Sequence, residues 1–485
     1  MTIQDLLVKL HVAPSLPPFP EDFMFGVATA DHQCEPYDPD VEDIRDKWER
    51  EHGQTMRGHA TDFRNRYKED VDLARQLGCK MFRFSISWSR VEPAPGLFST
   101  ADFDFYQRLI DAIRAAGMEP IVTLHHFVWP LHVEARGGMI APEFPALYAR
   151  YVQEVVERLG KGLKYWITFN EPSQLIYGYI KPFWTKDYFI PPGLPPGAGL
   201  NEQVAAIGAL IRNLFVAHTW GREIIRAANP AALVGANPLL LGLPIWLQRI
   251  INWNATRLRT QADLSREIKI IALEPTTRAL LPEKSPVKNW LQRLLDPIFE
   301  PIAILSTILA SNWWHLGMAG QLPEFLCPRE CVGRQDYVGL DYYWGISSLR
   351  LNHIMALIGS GLGHFDKAPV WAGALHEHLK YQARLFPDLP ILIVENGSVD
   401  VADHMDRATY LRKHIEQVQL AMRDGVNVAA YTVWAITSNR EWGLRFDSAN
   451  DFGLYHIELD NDPSLRRTPT PSSAAYKDII ANRGI

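Results

Sequence analysis

Apolar positions along this chain fall into two alternating rhythms. Short strand-like runs recur at 23–30 (FMFGVATA), 80–88 (KMFRFSISW), 119–127 (EPIVTLHHF) and 164–171 (KYWITFNE). Four more follow at 232–240 (ALVGANPLL), 336–344 (DYVGLDYYW), 390–397 (PILIVENG) and 426–436 (VNVAAYTVWAI). Between most of them apolar residues recur at three- and four-residue spacing, the pattern of a helix with one buried face. FDFYQRLIDAIRAAG (103–117) shows it, with a Gly as stop signal. Eight strand–helix units with no composition break predict an α/β fold, a single-domain (β/α)8 TIM barrel over residues 1–485. The rival, a doubly wound open sheet, would normally have fewer strands, and no G-x-G-x-x-G follows the first one.

One stretch departs from the rhythm. Residues 238–312 form an insertion or lid after the fifth strand, with nine Lys/Arg against six Asp/Glu in a chain whose formal net charge is −6. If the stretch is helical, Trp246, Ile250 and Trp253 share one face, Arg249 flanks it, and Arg257 interrupts it. A basic amphipathic segment can lie on a membrane surface. The plainer expectation is an insertion that packs its apolar face on the barrel. Residues 301–323 carry no formal charge, but they open on Pro301 and hold Ser, Thr, Asn and His, so a buried helix fits them better than a membrane span.

Composition narrows the class. With 47% hydrophobic and 21% charged residues in 485, the chain reads as an ordinary globular protein with a large core. The mild negative charge excludes nucleic acid as an expected partner. Four cysteines, at 34, 79, 327 and 331, are sparse and unpatterned, which argues for a reducing compartment. Cys327 and Cys331 have no second Cys/His pair nearby, so they read as small apolar fillers rather than metal ligands. The first twenty residues lack a secretory pattern. The expected location is therefore cytoplasmic, peripheral to a membrane if the insertion binds one.

In such a barrel the active site lies at the C-terminal ends of the strands. A polar residue ending an apolar strand is thus a candidate. The first strand leads to Gln33 and Glu35; the second carries Arg83 and the third His126. The fourth ends on Asn170 and Glu171, the sixth carries Asp341 and Tyr343, the seventh ends on Glu395, and the eighth carries Trp434, with Glu441 and Trp442 beyond. Carboxylates among indole rings suit a sugar, whose hydroxyls need polar partners and whose ring has an apolar face. Strands four and seven face one another across the barrel, and a carboxyl pair flanking a glycosidic bond is what glycoside hydrolysis needs.

These stretches carry a resemblance. FMFGVATADHQCE, FRFSISWSRVEP, TLHHF, WITFNEP, VGLDYYW, ILIVENG, FGLYHIELDND and the terminal RTPTPSSAAYKDIIANRGI resemble glycoside hydrolase family 1, the β-glucosidase and β-galactosidase family, in family order over nearly the whole chain. The resemblance implies a retaining β-glycosidase acting on a terminal glucose- or galactose-type sugar, with Glu171 as acid/base and Glu395 as nucleophile. It places Arg83 and Tyr343 against Glu395, where a cation and a hydroxyl donor stabilise an anion. It makes Gln33, His126, Asn170, Glu441 and Trp442 the holders of the sugar hydroxyls, with Asn170 on the 2-hydroxyl, and Trp434 the platform beneath the ring. It implies no cofactor and no metal.

The departures from the family pattern leave the sugar open. Phe127 stands for a Trp, Val128 for an Asp, Asp341 for an Asn, Met139 for a Trp, and Arg440 for an aromatic residue. Retention of Glu441 argues against a 6-phosphoglycosidase, which carries a small residue there, while Arg440 keeps that reading open. Both carboxylates are present, against an inactive sugar-binding relative. The long segment after strand five suggests a hydrophobic or glycolipid aglycone, hydrolysed or transferred to another sugar.

Overall fold

The computed structural model describes residues 16–180, 191–195, 197–265, 311–346, 365–400, 402–442, 444 and 446–485. Nine parallel strands form its main sheet: β1 (Met24–Ala28), β2 (Met81–Ser85), β3 (Glu119–Thr123), β4 (Tyr165–Asn170), β5 (Leu233–Asn237), β6 (Leu239–Gly242), β7 (Val338–Gly345), β8 (Ile391–Asn396) and β9 (Val428–Val433). They run in the order β5-β4-β3-β2-β1-β9-β8-β7-β6. Only Pro238 separates β5 from β6, so the two are halves of one strand. Proline has no N–H for the ladder, and the chain breaks there. β5 pairs β4 and β6 pairs β7, which completes the circuit. The fold is the eight-stranded (β/α)8 barrel expected from the pattern, with its fifth strand in two pieces.

Helices form where the spacing places them. The chief ones are α1 (Ile44–Glu51), α2 (Phe63–Leu77), α3 (Thr100–Ala115), α4 (Phe144–Leu159), α5 (Leu200–Ala228), α6 (Ile245–Thr256), α7 (Trp313–Met318), α8 (Ala372–Leu385), α9 (Arg407–Arg423) and α10 (Pro471–Asn482). Local chemistry sets their ends. Ser99 caps α3 through the Asp102 amide and Asp406 caps α9 through that of Thr409. Gly78 ends α2 in the left-handed conformation, at φ 88°.

Two cores result. The larger lies between sheet and helices. The smaller joins Met81, Ile121, Tyr165, Ile167, Leu392, Val394 and Ala430, from strands on opposite sides of the circuit, so it fills the barrel interior. Side chains alternate along a strand. Arg83, two residues beyond Met81, therefore points inward one layer nearer the C-terminal mouth. Register becomes irregular near that mouth, between Ile167 and Asn170, Leu340 and Asp341, and Ile393 and Asn396. Such irregularities re-aim side chains at strand ends, and here they occur just before Asn170, Asp341 and Glu395.

All four cysteines are buried and free, as fillers would be. The apolar face of the insertion does not pack on the barrel where it is described. In α6 the buried residues are Gln248, Ile251, Asn252 and Ala255, whereas Trp246, Ile250 and Trp253 are exposed. Gln248 and Asn252 turn inward because they find partners there: each other, and the Tyr381 hydroxyl for Asn252. Residues 266–310 of the insertion lie outside the described residues.

Barrel closure sets a steric limit that can be tested. A Cβ on Gly339 would fall inside the van der Waals envelope of the Ala236 carbonyl oxygen, where β7 crosses β5. Gly339→Ala should destabilise the fold by about 1–3 kcal/mol, measured by urea unfolding, whereas Gly96→Ala, which meets nothing, should cost only the strain of its positive φ.

Candidate active site

Arg83 is wholly buried at the centre of the mouth. Its Nη1 donates to Glu395 Oε1, its Nη2 to Asn170 Oδ1 at 2.6 Å, and its Nε to Thr123 Oγ1 at 3.0 Å. One side chain of β2 thus ties together β3, β4 and β8. Tyr343 Oη donates to the other oxygen of Glu395 at 2.6 Å. Burial, and then the charge of Glu395, pushes the Tyr343 phenol far above its ordinary range, so it stays a donor.

Glu171 follows β4. Its φ of +38° is unusual for a residue with a side chain. Its amide donates to the Asn237 carbonyl at 3.1 Å, which holds that turn. Carboxylate oxygens of Glu171, Asp341 and Glu395 lie within 4.8 Å of one another. Burial raises Glu171 well above the usual carboxylate range; the charge of Glu395 raises it further, and Arg83 opposes both. Asp341 is raised the same way, by burial, then by Glu395 and Glu171.

The opposite wall is polar and aromatic. Gln33 Nε2 donates to Glu441 Oε2 at 3.1 Å and to Asn439 Oδ1 at 3.0 Å. Trp434 Nε1 donates to Glu441 Oε1 at 3.1 Å. The His126 ring lies parallel to Trp434 and to Trp442, at 5.7 and 5.8 Å between centroids. Burial and the nearby Arg83 push His126 well down, so it is a neutral imidazole. Burial raises Glu441 to about 8 despite its two donors. Gln33 Oε1 and His126 Nδ1 have no protein partner among the described residues, so each can meet a ligand hydroxyl.

Of the twelve strand-end candidates in the sequence, eleven come together at this mouth: Asp341 and the ten to which the resemblance assigns roles, Gln33, Arg83, His126, Asn170, Glu171, Tyr343, Glu395, Trp434, Glu441 and Trp442. Glu35 does not join them. It accepts from the Tyr106 hydroxyl at 2.7 Å and pairs with Arg64 and Arg90, away from the carboxylates. Asn237 was missed. Its Nδ2 donates to Asn170 Oδ1 at 2.7 Å and to Asp341 Oδ2, linking the two. The strand-end rule would have found it, as the polar residue that closes β5 before Pro238.

A second charged network backs the aromatic wall. His32 Nδ1 bonds Asp43 at 2.8 Å and Arg57 pairs with Asp46 at 2.6 Å. Arg45 bonds Glu49 at 2.9 Å and donates to the Trp442 carbonyl, which fixes the chain there. His32–Asp43–Asp46 and Glu171–Asp341–Glu395 are the sets of close metal-type ligands among the described residues. In each a guanidinium already supplies positive charge, Arg57 in one and Arg83 in the other.

Known proteins match this chain in sequence and in fold. The family model for glycosyl hydrolase family 1 matches residues 16–240 and 364–485. A thermostable β-glucosidase B of Thermobispora bispora is 27% identical, over 96% of this chain and 91% of its own length. A bifunctional β-D-glucosidase/β-D-fucosidase of Bifidobacterium breve is 27% identical over 96% and 98%. Among solved structures, the family 1 β-glucosidase of Thermotoga maritima superposes with a TM-score of 0.67 at 23% identity, over 97% of this chain and all of its own. The AHE enzyme of Alicyclobacillus herbarius gives 0.69 at 21%, with the same coverage. A family match over most of the chain, on a barrel of this form, shows that the chain belongs to glycosyl hydrolase family 1.

Proposed function

We propose that this chain is a retaining β-glycosidase that hydrolyses a terminal β-linked glucose- or galactose-type sugar by double displacement. The observation that carries the reading is the carboxyl pair Glu171 and Glu395, with oxygens within 4.8 Å of each other. That fits the ~5–5.5 Å of retaining enzymes and not the ~6.5–9.5 Å of inverting ones, which leave room for a water.

Glu395 is the nucleophile in this reading. Arg83 and Tyr343 occupy both of its oxygens and aim it. It attacks the anomeric carbon while Glu171, protonated because burial and the Glu395 charge hold its proton, gives that proton to the leaving oxygen. Formation of the glycosyl ester removes the charge on Glu395. The pKa of Glu171 then falls, and its carboxylate can take a proton from the water that releases the sugar. Asn170, oriented by Arg83 and Asn237, faces the 2-hydroxyl. Gln33, His126, Glu441 and Trp442 hold the other hydroxyls, and Trp434 lies under the ring. The Bifidobacterium relative's name pairs glucoside and fucoside, which supports a tolerant sugar site.

A second reading, a glycolipid or other hydrophobic β-glycoside as substrate, hydrolysed or transferred at a membrane surface, is favoured by the exposed aromatic face of α6 beside the split strand. It uses the same two carboxylates, so the chemistry is common to both.

Three outcomes are expected. Glu395→Gly should abolish turnover of aryl β-glucosides, with partial rescue by azide or formate; full activity in that variant would sink the nucleophile. Glu171→Ala should slow glycosides with poor leaving groups by roughly 10²–10⁴-fold, and activated aryl glycosides much less, in steady-state assays. The third concerns pH. Because the acid form of Glu171 exists below its raised pKa, turnover of poor leaving groups should fall as pH rises through that value. Glu395→Gln removes the charge that raises it, so Glu171 should titrate lower in that variant, as read by ¹³C NMR of labelled glutamate; an unmoved titration contradicts the coupling.

A further inference from the structure

We propose that the outer face of α6 is a docking surface for an anionic lipid bilayer. Seven large apolar residues are exposed among the described residues: Leu97, Trp220, Trp246, Ile250, Trp253, Val332 and Ile485. Three of the seven, Trp246, Ile250 and Trp253, stand on this one twelve-residue helix. Their exposures are 53%, 49% and 56%. Their spacing of four and three residues puts them on one face.

The inner face makes the pattern more telling. It buries Gln248 and Asn252, and Asn252 serves as a polar anchor. Its Oδ1 accepts from Gln248 Nε2 at 2.9 Å and from the Asn312 amide at 3.1 Å, while its Nδ2 donates to the Tyr381 hydroxyl at 3.1 Å. A helix on a protein in water ordinarily puts its indoles inward and its amides outward. Here Ile251 and Ala255 are buried, but two amides are buried beside them while both indoles and Ile250 stand outside, and the polar anchors fix the helix that way.

Charge selects the occupant. Residues 245–262 contain Arg249, Arg257 and Arg259 and no Asp or Glu. All three arginines are exposed, and the Arg257 guanidinium lies 4.4 Å from the Trp253 ring centroid. Indoles settle at the headgroup level of a bilayer, and arginines seek anionic headgroups. A second copy of the chain is the poorer partner. A two-fold contact sets a surface against itself, and this one would oppose Arg249 and Arg257 to their own kind with no acid on the stretch to answer them. The contact is peripheral, since no described helix is long and apolar enough to cross a membrane.

Position gives the surface a use. α6 begins after Leu243 and Pro244, directly beyond the C-terminal end of β6. That is the end of the barrel where Asn237, Asp341 and Glu395 converge. Docking would set the mouth beside the headgroups and present β-glycosides whose aglycone is a lipid. This last step rests on the glycosidase reading; the docking itself does not.

The test is flotation of the full chain with phosphatidylcholine vesicles, with and without phosphatidylglycerol. Wild type should float with the anionic vesicles, less with neutral ones, and less in high salt. The doubles Trp246→Ser/Trp253→Ser and Arg249→Glu/Arg257→Glu should each weaken binding by about tenfold or more, while Trp220→Ser should not. The arginine double keeps the apolar surface, so its loss of binding is independent of any folding defect in the tryptophan double. Absence of flotation with either vesicle, or flotation untouched by both doubles, overturns the proposal. So does a dimer in light scattering that the tryptophan double dissolves, which would assign the face to a second copy. Turnover of a soluble aryl β-glucoside by the same samples reads the catalytic assignment separately.

Discussion

The site depends on one buried cation. Arg83 stands where side chains of β3, β4 and β8 meet, and its three nitrogens reach Thr123, Asn170 and Glu395. Three carboxyl groups crowd within 4.8 Å of one another beside it. Its charge lets Glu395 stay ionised in a buried site, while like charges in a low dielectric repel strongly enough to keep protons on the neighbouring Glu171 and Asp341. Burial alone would lower the Arg83 pKa, but Glu395 and Asp341 outweigh it and raise it. The barrel serves this group directly, since Met81 and Arg83 share the inward face of β2 and the interior core is the floor on which the guanidinium rests.

A site of this kind trades stability for chemistry. The folded state holds protons on Glu171, Asp341 and Glu441 that the unfolded chain would release. For Glu441 the folded value is raised from 4.5 to about 8. A raised carboxyl contributes its full stability below the unfolded pKa, near 4.5, and loses it as pH rises through the folded value.

Much of this was legible in the chain. Parallel strands buried on both faces appear as apolar runs, and a polar residue at the end of such a run is conspicuous; that is why Asn170–Glu171 and Glu395 stood out. The rule works because strand ends at the barrel mouth have one destination. It failed where a strand end has two. Glu35 follows β1 but turns into a short helical segment and meets Arg64 and Arg90 between the elements. Asn237 was hidden because Pro238 divides what reads as one strand, ALVGANPLL. The roles of the two carboxylates came from the family resemblance, since spacing along a chain cannot say which of two acids holds the proton. For α6 the shared face of Trp246, Ile250 and Trp253 was visible, but its direction was not. Periodicity tells which residues lie together, and only the partners of Gln248 and Asn252 decide which side faces in.

The family's Asn on the sixth predicted strand is Asp341 here, and the structure shows what that exchange means. Asp341 is wholly buried, takes one hydrogen bond from Asn237, and leaves its other oxygen without a protein partner. Burial and two neighbouring acids make it hold its proton. A protonated carboxyl offers one acceptor and one donor on a planar frame of nearly the same shape as a carboxamide. In the resting site this aspartate is therefore an asparagine in all but name. The likeness is conditional, because an amide cannot ionise. When alkaline conditions take the proton, the same position becomes an anion facing Arg83 and competes with Glu395 for the single guanidinium.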